Sequence, residues 1–134
     1  MKHILVVDDE APVQLLVQKI LESAGYRVTA VGDGMSALKV AREDPPDLAI
    51  CDLSMPGMDG FSVSSILKRT KTFRAPVLIL SGRVSEKDIQ TALRTGADAF
   101  IPKPVERDKL LSAVAQWLTE GEHLPAEYTP EPKP

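Results

Sequence analysis

The chain lacks paired cysteines, long apolar runs and an excess of positive charge, and each of these absences argues against one class of protein. Cys51 is the one cysteine among 134 residues, which excludes an internal disulfide framework and is typical of a reducing compartment. No apolar run approaches the roughly 20 residues of a transmembrane helix, and the amino terminus does not have the layout of a secretory signal peptide. We therefore expect a cytoplasmic protein with no membrane partner.

The charge balance gives a second expectation, which concerns nucleic acid. The net charge is −3, whereas a nucleic-acid surface normally carries a basic stripe. We therefore predict no direct nucleic-acid binding.

The order of the apolar segments predicts an α/β fold. Apolar runs at residues 3–7, 27–31, 48–52, 76–80 and 97–101 have the character of buried strands, and a segment with helical spacing follows each. Such alternation indicates a parallel sheet with helices on both faces. We predict one domain over residues 1–120. Residues 121–134 hold four of the eleven prolines mixed with glutamate, which predicts an extended, mobile acidic tail or the start of a linker.

One stretch, residues 48–60, organises the rest of the chain. A short apolar run ends on Asp52, and a turn rich in proline and glycine follows at once. Asp52 is therefore expected at the carboxyl end of a buried strand, which is where open α/β sheets bind ligands. A carboxylate at that place is a helix cap, a metal ligand or a nucleophile.

Other polar residues follow the neighbouring strands in the same way. Asp8 and Asp9 come after the first strand, Ser81 after the fourth and Lys103 after the fifth. Together with Asp52 they provide carboxylates for Mg²⁺, a nucleophile that can form an aspartyl phosphate, and a cation and a hydroxyl that stabilise transferred charge. This combination indicates phosphoryl transfer.

Four motifs carry a resemblance to a known family: VVDDE at residues 6–10, DLSMPGMDG at 52–60, LSG at 80–82 and GADAFIPKP at 96–104. In this order they resemble the receiver domains of bacterial two-component response regulators, the CheY-like family. The resemblance covers residues 3 to about 120. It implies a flavodoxin-like (βα)5 three-layer sandwich with strand order 2-1-3-4-5. It also implies that Asp52 accepts a phosphoryl group, with Mg²⁺, from a histidine kinase or a histidine phosphotransfer protein.

The resemblance implies roles for further residues. It places Mg²⁺ on Asp9, Asp52 and the backbone carbonyl of Ser54, with Asp8 nearby, and Lys103 beside the phosphoryl group. It makes Ser81 and Phe100 the hydroxyl and aromatic pair that switches a protein-interaction surface. The resemblance further implies that the protein is not an enzyme for other substrates and catalyses only its own phosphorylation and dephosphorylation. Its partners would be the kinase and an unknown downstream protein, and a weak dimer on phosphorylation is left open.

Other interpretations remain beside this one. Taken alone, residues 8–10 could be a helix cap and Ser81 a turn residue. A haloacid dehalogenase-type hydrolase would need a second aspartate where Ser54 stands, and a nucleotide-binding protein would need a glycine-rich loop after the first strand. A phosphorylation-independent interaction module is the remaining alternative. We also hypothesise that Ser54 and Arg83 tune how fast water removes the phosphoryl group.

Overall fold

The fold is built on one parallel sheet, seen in a computed structural model that describes residues 1–82 and 84–122. The strands follow the sheet order β2-β1-β3-β4-β5, which confirms the predicted flavodoxin-like topology. Each strand has four or five residues: β1 His3–Val7, β2 Arg27–Val31, β3 Leu48–Asp52, β4 Val77–Ser81 and β5 Ala99–Pro102. The three central strands are buried along their whole length, which is why they read as continuous apolar runs.

Helices cover both faces of the sheet. They are α1 Ala11–Ser23, α2 Gly34–Glu43, α3 Gly60–Arg69, α4 Glu86–Thr95 and α5 Arg107–Glu122. Side chains of α2, α3 and α4 pack in one core with alternate strand residues such as Leu5 and Ile79. Side chains of α1 and α5 pack in a second core with the other strand residues, such as Ile4 and Leu78. The two cores and the sheet between them form the predicted three layers.

Local signals set the helix ends. Ser85 and Asp88 form a capping box at the start of α4, in which each side chain accepts a hydrogen bond from the other residue's backbone N–H. Gly25 and Gly96 have φ values of +95° and +87°, and they lie just after the ends of α1 and α4. Within the described part of the chain, no helix is both long and apolar enough to cross a bilayer.

Several element boundaries differ from the sequence-based expectation, and β4, at Val77–Ser81, is shifted by one residue from the apolar run at 76–80. β5 begins at Ala99 because Asp98 is part of the turn before it, where its backbone N–H donates to the Val77 carbonyl and its carboxylate accepts from the Val77 N–H. β5 also includes Pro102, which an edge strand tolerates because one side of it has no partner strand. α5 extends to Glu122, so it crosses the boundary at residue 120 that we predict; the boundary stays a prediction, and residues 123–134 lie outside the described part.

Candidate functional site

The carboxyl ends of the central strands meet at one edge and bring acidic side chains together. Asp52 is the last residue of β3, and Asp8 is the first residue after β1. Because these parallel strands are adjacent, their ends lie side by side. Both aspartates are almost completely inaccessible to solvent, at 2% and 0% exposure. Buried carboxylates are uncommon unless they are paired or bind a metal, so this edge is the candidate site.

Lys103 is the cation that faces the buried carboxylates. Its Nζ donates to Oδ1 of Asp52 at 2.7 Å and lies 3.6 Å from Oε1 of Glu10. Its backbone N–H donates to the Ser81 carbonyl at 3.0 Å, which anchors it to the end of β4, and its peptide bond to Pro104 is cis. Burial alone lowers the pKa of Lys103, but the bond to Asp52 and the surrounding negative charges outweigh that effect and raise it. Lys103 therefore stays protonated and positioned at Asp52.

Three carboxylates form a group that could hold a cation. Oxygen atoms of Asp8, Glu10 and Asp52 all lie within 4.8 Å of one another. Oδ1 of Asp8 accepts a hydrogen bond from the Glu10 backbone N–H at 2.8 Å, but the buried Oδ2 has no hydrogen-bond partner among the described residues. Burial raises the pKa of Asp8, the Glu10 N–H opposes the shift, and the charge of Asp52 adds to it. A buried oxygen without a donor, beside two further carboxylates, suits a hard divalent cation such as Mg²⁺.

The structure separates the predicted metal ligands into two sets. Asp8 and Asp52 are in the carboxylate group, whereas Asp9 and Ser54 are exposed and do not belong to it. The roles that we assign to Asp9 and to the Ser54 carbonyl stay predictions. Glu10 is in the group although the sequence analysis did not select it. The available signal was its place two residues after Asp8, where a bend in the chain returns the side chain to the same edge.

A close turn holds the end of β3 in place. The Gly60 N–H donates to the Leu53 carbonyl at 2.9 Å, so α3 begins directly against the strand end. A Cβ at Gly60 would lie 2.5 Å from the Asp52 carbonyl oxygen, which no larger residue can accept without moving the backbone. The Asp59 side chain caps α3 by accepting from the Ser62 N–H. The glycine in the predicted motif is therefore required by the approach of the chain to Asp52.

The two predicted switch residues occupy neighbouring strands. Ser81 is buried at the end of β4, and Phe100 is partly buried in β5. The Phe100 ring packs edge-on against Phe61, with ring centroids 6.2 Å apart, and this partner was not selected from the sequence. Phe61 follows Gly60 directly, so the turn that shapes the site also places the ring. Arg83, which we hypothesise to tune phosphoryl loss, lies outside the described residues.

Comparison with known proteins identifies the family. The sequence model described as "Response regulator receiver domain" matches residues 4–115. The chain belongs to this family. The receiver fold and the two-component context that the motifs predicted are therefore confirmed.

Curated proteins similar to this chain are longer than it is. It is 34% identical over 126 residues to the DNA-binding response regulator MtrA of Mycolicibacterium paratuberculosis, an alignment that covers 94% of this chain and 55% of MtrA. The chain thus spans about half the length of the curated relatives that it matches.

Solved structures of similar proteins have the same fold, and one of them contains a magnesium ion. The receiver resembles the chemotaxis protein CheY4 of Vibrio cholerae with a TM-score of 0.85 and 30% identity, over 87% of this chain and 98% of that one. It resembles the receiver domain of sensor histidine kinase PA1611 from Pseudomonas aeruginosa with a TM-score of 0.80 and 28% identity, over 88% and 98% of the chains. The PA1611 receiver has a magnesium ion coordinated in its active-site cleft.

The prediction about partners was wrong where it excluded nucleic acid. The similarity to MtrA, a DNA-binding response regulator, overturns it. The physical reason is that the net charge of −3 describes only the surface of this chain. The same receiver fold occurs in a DNA-binding regulator and in a histidine kinase, so the charge of a receiver does not report what the protein around it binds.

Proposed function

We propose that this receiver accepts a phosphoryl group on Asp52 from a phosphohistidine of a histidine kinase or phosphotransfer protein. An oxygen of Asp52 forms the new P–O bond as the P–N bond of the donor breaks. The bonding electrons leave with the imidazole, which takes up a proton to become neutral histidine. The product is an aspartyl phosphate on this chain, and turnover of other substrates is not part of the proposal.

The observation that carries the proposal is the environment of Asp52. A carboxylate with 2% exposure ends a central strand, accepts a 2.7 Å hydrogen bond from Lys103, and has two further carboxylates beside it. A structural ion pair would need only Lys103 and Asp52. The additional negative charges raise the cost of the folded state unless a cation or a bound group uses them. This arrangement therefore favours a site that binds a cation or a reacting group over a purely structural ion pair.

Asp8, Glu10 and Asp52 would hold the Mg²⁺ ion, which neutralises charge on the transferred phosphoryl oxygens. Lys103 supplies a second positive charge beside Asp52 and Glu10, and a phosphate oxygen could replace Oδ1 of Asp52 as its acceptor. Asp9 and the Ser54 carbonyl, which the family resemblance implies as ligands, are the competing set. Both sets share Asp52.

The signal would pass through Ser81 and Phe100. A phosphoryl group adds about −1.5 to −2 charge at Asp52. The Ser81 hydroxyl then binds the new oxygens, and Phe100 leaves its edge-on contact with Phe61. This is a population shift between two packings of β4, β5 and their helices. The similarity to MtrA supports regulation of a DNA-binding segment or protein that is coupled to the receiver. We propose that the phosphoryl transfer takes place in the cytoplasm.

Intact-mass spectrometry after incubation with acetyl phosphate tests the chemistry. We expect a gain of one phosphoryl group that requires Mg²⁺ and is absent in Asp52→Asn. Asp108→Asn, at an exposed position in the first turn of α5, is the matched control and should gain the group normally. A wild-type protein that gains no phosphoryl group from acetyl phosphate or from a phosphohistidine donor would overturn the proposal and favour a phosphorylation-independent module.

A further inference from the structure

One side chain outside the proposed chemistry ties the acidic residues to the sheet. Gln14 lies in the first turns of α1, and its amide nitrogen donates to the Asp8 carbonyl at 2.9 Å and to the Val31 carbonyl at 3.0 Å. A side-chain amide has two hydrogens, so both are used. Gln14 thereby links α1 to the ends of β1 and β2 at the edge that carries the site.

The position of these bonds matters because the strand ladder has ended there. The pairing of β1 with β2 stops at Val7 and Val31, so Asp8 is the first residue beyond it. The Asp8 N–H donates to the Val31 carbonyl at 3.1 Å. The Gln14 amide then binds that same carbonyl and the Asp8 carbonyl together. The peptide groups on either side of the Asp8 side chain are therefore both fixed.

The same helix turn also fixes Glu10. The Gln14 backbone N–H donates to the Glu10 carbonyl at 3.0 Å, and the Glu10 N–H donates to Oδ1 of Asp8 at 2.8 Å. α1 has no side-chain hydrogen bond at its N-cap, so Gln14 makes the contacts that connect the helix start to the loop. The bond to Glu10 is an ordinary backbone bond of the helix start that any residue except proline would make, so the Gln14 side chain itself fixes the backbone of Asp8.

We propose that Gln14 is a positioning residue for the divalent cation at this site. It fixes the backbone that carries the Asp8 side chain in the carboxylate group, without touching the cation itself. This inference rests on the proposed function, because it presumes that the carboxylate group binds Mg²⁺. Residues that orient metal ligands typically change metal affinity by about 10–100-fold when they are removed.

The test is a calorimetric titration of the whole chain with Mg²⁺, made well below the melting temperature. Gln14→Met keeps the length of the side chain and removes both donors, and we expect the dissociation constant to rise by about tenfold or more. Gln18→Met is the matched control, because this residue lies one turn along α1 and its amide donates to the Glu22 carboxylate at the surface. The Gln18→Met protein should bind Mg²⁺ as tightly as the wild type. Gln14→Arg keeps paired donors and should restore most of the affinity.

Several outcomes separate this inference from the proposed function. A folded Gln14→Met protein that binds Mg²⁺ as tightly as the wild type would overturn the positioning role and leave the proposed function intact. If Gln14→Met does not fold, Gln14→Arg decides, because wild-type affinity supports the donor role and a tenfold loss contradicts it. A wild-type protein that binds no Mg²⁺ would overturn the metal site itself, and the inference with it.

Discussion

Replacing Asp8 by asparagine is expected to stabilise the protein when no divalent cation is present. The substitution keeps the shape of the side chain and the hydrogen bond that Oδ1 accepts from the Glu10 N–H. It removes one negative charge from a group of three carboxylates, and it replaces the unpartnered Oδ2 with an amide that can donate to its neighbours. A site residue is thus predicted to lower stability in the native sequence.

The magnitude follows from the distances in the cluster. At an effective dielectric constant of about 20, two unit charges 4.8 Å apart repel by about 3.5 kcal/mol. Lys103 offsets most of the part due to Asp52, because its Nζ lies 2.7 Å from Oδ1 of Asp52. The buried acceptor without a partner costs about 1–3 kcal/mol. We expect a net gain of about 2 kcal/mol, which raises the Tm by roughly 6–8 °C for a chain of this size.

Thermal unfolding in the presence of a chelator measures this gain, and pH gives a second readout. Burial raises the pKa of Asp8 above 3.8, so the folded protein binds a proton on Asp8 more readily than the unfolded chain does. The penalty is absent below pH 3.8 and develops as pH rises through the folded-state pKa. The difference in Tm between Asp8→Asn and wild type should therefore be largest near neutral pH and shrink as the solution is acidified.

Asp9→Asn is the matched control, since this neighbouring carboxylate is exposed and outside the cluster. In the presence of chelator, this substitution should change the free energy of unfolding by no more than about 0.5 kcal/mol. Mg²⁺ at 100 times its dissociation constant should stabilise the wild type by about 2.7 kcal/mol and Asp8→Asn by less, so the two proteins converge. The reasoning fails if Asp8→Asn melts at or below the wild type in chelator, or if Asp9→Asn gives the same rise.

Three further predictions concern the surroundings of the cluster. Lys103→Met should slow phosphorylation of Asp52 by about 10²-fold. The variant should also be less stable than the wild type, and this difference should fade only as pH rises above 10.5 and through the raised pKa of Lys103 in the folded protein, because the lysine then loses its charge. Alkaline unfolding curves measure this. Gly60→Ala should lower the unfolding free energy by about 1–3 kcal/mol, because the added Cβ clashes with the end of β3. Gly32→Ala is the control and should be tolerated, because the nearest neighbouring atom is 3.9 Å from its added Cβ. Denaturant titrations measure both. The thiol of Cys51 is fully buried and its pKa is raised to about 12, so a thiol reagent should label it only after unfolding.

The sequence was sufficient for the sheet because each central strand is buried on both faces. Such strands need apolar residues at every position, and runs of that kind are visible without any structural information. The helices were less determined. Leu16 and Leu93 stand at helical spacing from other apolar residues of α1 and α4, yet these side chains are 46% and 52% exposed. Successive residues of a helix are rotated by about 100° around its axis. Spacing alone therefore does not determine whether a residue at the edge of the apolar face is buried.

The residues of the site also differ in how far the sequence predicts them. Asp52, Ser81 and Lys103 were predictable because each ends or directly follows a strand, and a parallel sheet carries all strand ends to one edge. Lys103 could be matched to Asp52 across 51 residues for that reason.

Glu10 and Gln14 were not predictable by this rule, because they lie beyond the ladder, where backbone torsions decide which side chain returns to the edge. Oδ1 of Asp8 accepts the Glu10 N–H only because the chain bends immediately after Asp8. That bend exposes the Asp8 carbonyl, and the amide of Gln14 satisfies it together with the Val31 carbonyl. A buried polar site therefore recruits its supporting residues through hydrogen bonds that its loops leave open. Such residues are found by asking which donor completes each carbonyl beyond the strand ends.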